Sequence, residues 1–425
     1  MNLQGMKKMK KKIAVCLFVI LAAVIYIGCQ SNNTDNKDAD NPETEHKIGV
    51  VVFNPDNPEL RMFMNYYRDY IAAGFPVQFY FSDSVGSTED EIAAIRKMKQ
   101  EGVEGIISFY GLGVQDTVKV CEEEELYYIL GSGTISEDDF NAVKSNEWFL
   151  GTIGPASDAE MQAGQDMAAD FADKGASNYL IISAGAGMSN YMHLSRVEGM
   201  LETLGEKYGI TYEAPVEELA AVTENTVVET GSEDVSITIA PGYIDSENGT
   251  ANIKAALTNG SYDAVMAAAG IDSVLDELLL AEETSGINMR IGTVDCFSQE
   301  NMTAFDGKDK EGNSQIDYVA GKYASMAGPA FAAMYNALED DMDVIRPDGE
   351  AFRLVQGFWS ASNASQYREL YDYTYNVYEN AYSCNDLMSV IKAFDENADY
   401  EALKTLTESY DVESVKERIA TQTKE

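Results

Sequence analysis

Histidine is almost missing from this chain, which carries two among 425 residues, His46 and His193. No histidine cluster can hold a metal, and no repeated pairing of histidine with carboxylate is available for acid–base work. Cysteine is also scarce. None of the five stands in a C-x-x-C pair, which removes a zinc ribbon and a thioredoxin-like site. Cys121, Cys296 and Cys384 lie far apart, and their spacing leaves open one disulfide or three buried thiols. No Walker A sequence, G-x-S-x-G elbow or S-x-x-K occurs. Gly185 and Gly187 follow an apolar run, but Asn190 stands where a dinucleotide loop has its third glycine, so no cofactor is indicated. Basic residues are few, 30 against 71 acidic ones, for a net charge of −41. That balance excludes nucleic acid, whose phosphates need clustered Lys and Arg. The many carboxylates leave a paired-carboxylate glycosidase open on residue types alone, although no spacing singles out a pair.

What is present begins with a leader. Lys7, Lys8, Lys10, Lys11 and Lys12 precede an uncharged apolar run from Ile13 to Ile27. A bilayer span needs about 20 apolar residues, so this shorter run reads as a signal peptide. Small Gly28 precedes Cys29, and the chain then turns polar from Gln30. This order resembles a lipobox, which implies cleavage before Cys29, a lipid anchor on its thiol, and a cell-membrane location on the extracytoplasmic face. Tyr26 stands where that pattern prefers Leu, Val or Ile. Without the leader, 25 basic and 71 acidic residues give 25 − 71 = −46.

Residues 29–46 read as a flexible tether. From Ile48 the texture changes to short apolar runs separated by helical patterns. The runs are Ile48–Phe53, Val77–Phe81, Gly105–Ser108 and Leu126–Leu130, then Tyr179–Ser183, Val235–Ile239, Ala264–Ala268 and Ile291–Val294. Apolar runs of this length suit parallel strands buried on both faces, and their alternation with helices is the βαβ signature. Thr88 and Glu91 are spaced as a capping box opening one helix, with Gly102 at its end. Another helix carries Met161, Met167 and Phe171. The expected fold is therefore α/β, two Rossmann-like lobes with parallel sheets joined by a hinge, plus C-terminal helices. Expected boundaries are 1–28 for the leader, 47–153 with 315–355 for one lobe, 154–314 with 356–366 for the other, and 367–425 for the extension. Tyr367, Tyr371, Tyr375, Tyr378 and Tyr382 share one helical face by spacing, which reads as a packing stripe. Ligands of open α/β sheets sit at the C-terminal ends of strands, where Asn57, Asp83, Asp272 and Asp295 are found.

Several blocks, taken in order from Ile48 to about Gly357, carry a family resemblance. They are the opening strand with Asn57-Pro58, then Ile92 to Ile95 leading to Gly102 through Ile107. Ala163-Gly164 with Tyr179–Ser183 follows, then Arg196 to Gly199, Asp295, and Gln315 with Tyr318 and Gly321. In this order they resemble type I periplasmic solute-binding proteins, the ribose- and galactose-binding class of ABC-transporter receptors. The resemblance implies two lobes joined by three crossings that close on a solute. It places Asn57, Asp295 and Gln315 among the ligand residues, with Asp272 as a shifted match and Arg196 beside the clamping position. His193 is a candidate to stand in for the arginine that the family has at the position of Leu194. It also departs from the family: Glu59 and Leu60 follow Pro58 where aromatics sandwich the sugar, and Gly131-Ser132 replaces an acid–Arg pair. Tyr110, Tyr191, Phe297 and Trp359 are candidates for an apolar sugar platform or for packing. The implied function is capture, without chemistry, of a small polar solute, a sugar above all, for delivery to an ABC permease. A ligand sensor for a membrane kinase, a nucleoside-type receptor and a surface glycoside hydrolase are the alternatives.

Overall fold

In the computed structural model the described residues are 45–133, 135–184, 191–242, 246–346, 348–376, 381–409 and 411–422. Thirteen strands occur among them. They are β1 (His46–Val51), β2 (Val77–Phe81), β3 (Gly105–Ser108), β4 (Tyr127–Gly131), β5 (Phe149–Gly154), β6 (Asn178–Ser183), β7 (Thr226–Val228), β8 (Ser236–Pro241), β9 (Ala264–Ala267), β10 (Arg290–Cys296), β11 (Tyr318–Lys322), β12 (Phe352–Val355) and β13 (Trp359–Ala361). Two sheets result: six strands in the order β12-β5-β4-β3-β1-β2, and seven in the order β13-β11-β10-β9-β6-β8-β7. The first is parallel throughout, and the second is parallel except for its edge strands β7 and β13. Central strands such as β3 and β5 are buried along their whole length, as runs covered by helices on both faces must be.

The chain crosses between the sheets after β5, after β11 and between β12 and β13. Residues 315–322 thus belong to the second lobe and not the first, because β11 pairs with β10 from Gly292↔Tyr318 to Cys296↔Lys322. His46 is also not tether. It opens β1, pairs with Val77 and is buried, its ring 2.8 Å from Glu339.

Helices used below are α1 (Pro58–Asn65), α2 (Thr88–Gln100), α3 (Ser157–Asp173), α4 (Tyr191–Tyr208), α5 (Gln299–Asp306), α6 (Gly328–Leu338), α7 (Ala364–Tyr371), α8 (Cys384–Met388), α9 (Tyr400–Glu408) and α10 (Val412–Gln422). None of the described helices is long and apolar enough to cross a membrane. α3 and α4 approach closely because glycine faces backbone at their crossing. A Cβ on Gly164 would lie 2.0 Å from the Arg196 carbonyl oxygen, and one on Gly199 2.2 Å from that of Met161.

The cap of α2 falls one residue earlier than the Thr88 box suggests. Ser87 Oγ accepts from the Asp90 amide at 3.1 Å, and Gly102 takes φ +86° at the far end. Glu91 is thereby released from capping and turns inward. Its carboxylate, fully buried, accepts from Ser108 Oγ (2.6 Å), Thr117 Oγ1 (3.0 Å) and the Tyr128 hydroxyl (3.2 Å). Burial pushes its pKa up to about 7, and the three hydroxyls only partly offset this. A folded pKa above the unfolded one contributes stability in full at low pH, which is lost as pH rises through about 7. Glu91→Gln mimics the protonated acid, so it is expected to remove this dependence. Its gain in stability over the wild type should be of order 3 kcal/mol well above neutrality and vanish in acid, as read by thermal melts across pH.

The C-terminal extension returns to the first lobe. α7 packs beside α5 in the second lobe, whereas α8 and α9 pack on α6 in the first, so the chain crosses a fourth time between Tyr371 and Cys384. The tyrosine stripe is not one helical face: α7 ends at Tyr371, a π-helical turn covers Asp372–Asn376, and Tyr382 has φ +50°. Tyr367, Tyr371 and Tyr382 are nevertheless buried, as packing residues are. Tyr378 lies outside the described residues, and the side chain of Tyr375 is not described.

Candidate functional site

Parallel strands deliver their C-terminal ends to one side of each sheet, and helix N-termini begin there. In the second lobe β9 leads to a turn holding Gly270 and Asp272, β10 carries Asp295 as its next-to-last residue, and β11 ends on Lys322. α4 brings His193 and Arg196 to the same end. In the first lobe β1 leads to Asn57 and α1. Where these ends face each other, a polar cluster forms.

Asp295 is its best-defined member. Asn301, in the first turn of α5, donates its side-chain amide to Asp295 Oδ2 at 2.7 Å and to the Cys296 carbonyl at 2.9 Å. The turn itself is set by Ser298, whose hydroxyl accepts from the Asn301 amide at 3.1 Å. Gly270 packs flat on the carboxyl, since a Cβ there would come within 3.0 Å of it. Burial raises the Asp295 pKa to about 7; the neighbouring Asp272 and Glu59 carboxylates push the same way, and the Asn301 amide opposes them.

Glu59 and Lys322 join the lobes. Lys322 Nζ donates to Glu59 Oε1 at 2.9 Å, with the lysine side chain 7% and the glutamate 22% exposed. Two turns of sequence-predicted chemistry read differently here. Asn57 is the N-cap of α1, its Oδ1 accepting from the Leu60 amide at 3.3 Å. Arg196 is buried and committed: Nε donates to Glu160 at 2.5 Å and Nη1 to the Ala268 carbonyl at 2.6 Å, with Phe358 against its guanidinium. His193 is held neutral, its pKa pushed down to about 3 by burial and by the cations Arg196 and Lys322. Asp272 is exposed on its turn, within electrostatic reach of Asp295.

Gln315 does not join them. It precedes β11, at the N-terminal end of the strand, where its amide bonds the carbonyls of Ala304 and Gly307. The opposite end of β11 is the one beside Asp295, with Asp295↔Gly321 and Cys296↔Lys322 in register. Ligand-side residues follow a strand, so placing β11 at Tyr318–Lys322 would have pointed to Lys322. Phe297 and Trp359 are fully packed and Tyr110 is buried, so these three are packing residues here. The side chain of Tyr191 is not described, and Cys29 and residues 185–190 lie outside the described residues. Cys121, Cys296 and Cys384 are buried free thiols, so no disulfide joins them.

Two sheets with crossed connections, meeting at their strand ends, define the fold of the type I periplasmic binding proteins. No protein-family model matches the sequence, and no curated protein matches it. Solved structures match the fold. A sugar ABC-transport substrate-binding protein from Bordetella parapertussis is 13% identical, with a TM-score of 0.55 over 82% of this chain and 97% of that one. An ABC-transporter solute-binding protein from Bacillus halodurans with bound myo-inositol is 16% identical, with a TM-score of 0.53 over 79% of this chain and 99% of that one. A periplasmic solute-binding protein from Actinobacillus succinogenes with bound D-allose is 13% identical, with a TM-score of 0.54 over 76% of this chain and 100% of that one.

Proposed function

We propose that the chain is a receptor that captures a small polyhydroxylated solute, a sugar or cyclitol, between its lobes and passes it unchanged to an ABC permease. The observation that carries this reading is Asp295, a carboxylate fixed by Asn301 at the meeting of the lobes, with Gly270 packed close against it. A carboxylate held in this way accepts two neighbouring hydroxyls, a geometry that suits a sugar ring. The solved structures with bound myo-inositol and D-allose support the choice of solute class. Lys322 and Glu59 add a donor and an acceptor on facing walls. Neutral His193 can donate from one ring nitrogen and accept at the other. The lipid on Cys29 would keep the receptor at high effective concentration beside its permease. Recovery of the exported chain in the membrane fraction tests that anchor, and recovery in the soluble fraction would sink it.

The capture reading is tested by a thermal-shift screen with neutral sugars and cyclitols, followed by product analysis of each hit. Stabilisation without product is expected; turnover would overturn the reading. Asp295→Asn should weaken the best hit about 10–100-fold, from the loss of hydrogen bonds to a charged acceptor. Wild-type affinity should rise with pH through about 7 as Asp295 ionises, while the variant's profile stays flat. Titration calorimetry across pH reads both.

A further inference from the structure

We infer that α1 is the catch that holds the two lobes in their closed register, through charge pairs of opposite polarity. Glu59 and Arg61 stand two residues apart on this helix. Glu59 meets Lys322 at 2.9 Å, and Arg61 pairs with Glu300, in the first turn of α5. Both partners are on the second lobe, and both of the α1 residues are on the first. Each side is firmly mounted. Asn57 caps α1, and Leu60, Met62, Phe63 and Met64 beneath it are buried in the first lobe. Lys322 is the last residue of a strand hydrogen-bonded to β10 on one side and β13 on the other. The pairs therefore report rigid-body lobe position and not side-chain wandering.

Polarity gives the catch a register. A slip that carried Glu59 towards Glu300, or Arg61 towards Lys322, would bring like charges together and cost energy in this half-buried setting. Among the nearby charges, Arg196 and Lys322 both act on His193, Glu160 is paired with Arg196, and Asp295, near Glu59, is held by Asn301. Opening the lobes separates both pairs at once, so the closed form gains stability that the open form lacks. The Arg61–Glu300 pair is the more exposed, with side chains 43% and 38% accessible, so it contributes register more than strength.

The inference rests on reading the chain as a hinged receptor but not on which solute it binds. Small-angle scattering of the purified full chain, without added solute, tests it. Glu59→Gln and Lys322→Gln should each raise the radius of gyration, and the exchange Glu59→Lys with Lys322→Glu should return it to the wild-type value. Glu59→Gln sits on a helix surface, so circular dichroism should show it folded, keeping the test decisive if Lys322→Gln misfolds. Unchanged dimensions in the folded single variants, or an exchange variant as expanded as they are, would overturn the catch. Failure of the solute screen with a responsive catch would instead count against the sugar reading alone.

Discussion

Arg196→Met is expected to cost about 3–5 kcal/mol of stability, the range found when one partner of a buried ion pair is removed. The guanidinium is 7% exposed and its partner Glu160 is fully enclosed, so deleting the cation leaves a carboxylate with no solvent and no counter-charge. Glu160 Oε1 has no hydrogen-bond partner among the described residues even in the intact protein, which makes its dependence on Arg196 greater. The substitution also cuts the bond from Nη1 to the Ala268 carbonyl, at the end of β9. The turn carrying Gly270 and Asp272 starts there, so solute affinity should fall in whatever fraction remains folded. Chemical denaturation of the single variant and of Arg196→Met with Glu160→Met separates these effects. If the cost lies in the stranded charge, the double variant recovers most of the stability while the affinity loss persists. An Arg196→Met variant as stable as the wild type would show that the pair is not the structural support described here. That role differs from the ligand contact the family resemblance suggests. The site is built on Arg196 more than from it.

The difference illustrates what a single sequence discloses. Strand and helix alternation was legible because burial on both faces forces continuous apolar runs, as in Gly105–Ser108, and the two-lobed α/β fold follows from repeating that pattern. Asp295 was legible for the same reason: it ends a readable strand. β11 was not, since Tyr318–Lys322 is short, contains glycine and ends on a lysine, and it does not look like a buried strand. Without β11 the sequence offers Gln315 in place of Lys322 and gives residues 315–322 to the first lobe, whereas their pairing with β10 puts them in the second. Glu59 and Lys322 are 263 residues apart, and His46 and Glu339 are 293 apart. Neither pair leaves a local signature, because what makes each partner acceptable is the other. The same holds for Glu91, whose spacing from Thr88 fits a cap while its carboxylate serves the core. The tyrosine spacing fits one helix, yet burial of its members needs only contact, and the π-helical turn and the positive φ at Tyr382 deliver that contact along a bent path.

Those tyrosines lead to the second large effect. Trp359→Ala should cost about 3–5 kcal/mol, as removal of a fully packed large aromatic does. Trp359 is 1% exposed and stacks on Tyr323 with ring centroids 3.8 Å apart and planes 11° from parallel, while Phe297 meets it edge-on at 6.1 Å. Tyr323 lies on the crossing that follows β11, and Trp359 opens β13 just past the crossing from β12. Tyr382 lies parallel to Tyr323 at 6.3 Å, on the fourth crossing, where its carbonyl accepts from the Tyr66 hydroxyl of the first lobe at 2.7 Å. Thr374 Oγ1 accepts from the Ser325 amide at 3.2 Å, tying the same crossing to the hinge. One aromatic stack thus spans three of the four connections between the lobes. Removing the Trp359 ring leaves a cavity that neighbours fixed to different lobes cannot jointly close, so relaxation is limited and the upper part of the range applies. Lobes can unfold separately, so the loss should be read from calorimetric scans as a downward shift of the transition that includes the second lobe. Trp359→Phe should recover part of the loss by keeping a ring against Tyr323. If Trp359→Ala melts like the wild type, the stack is not what stiffens the hinge.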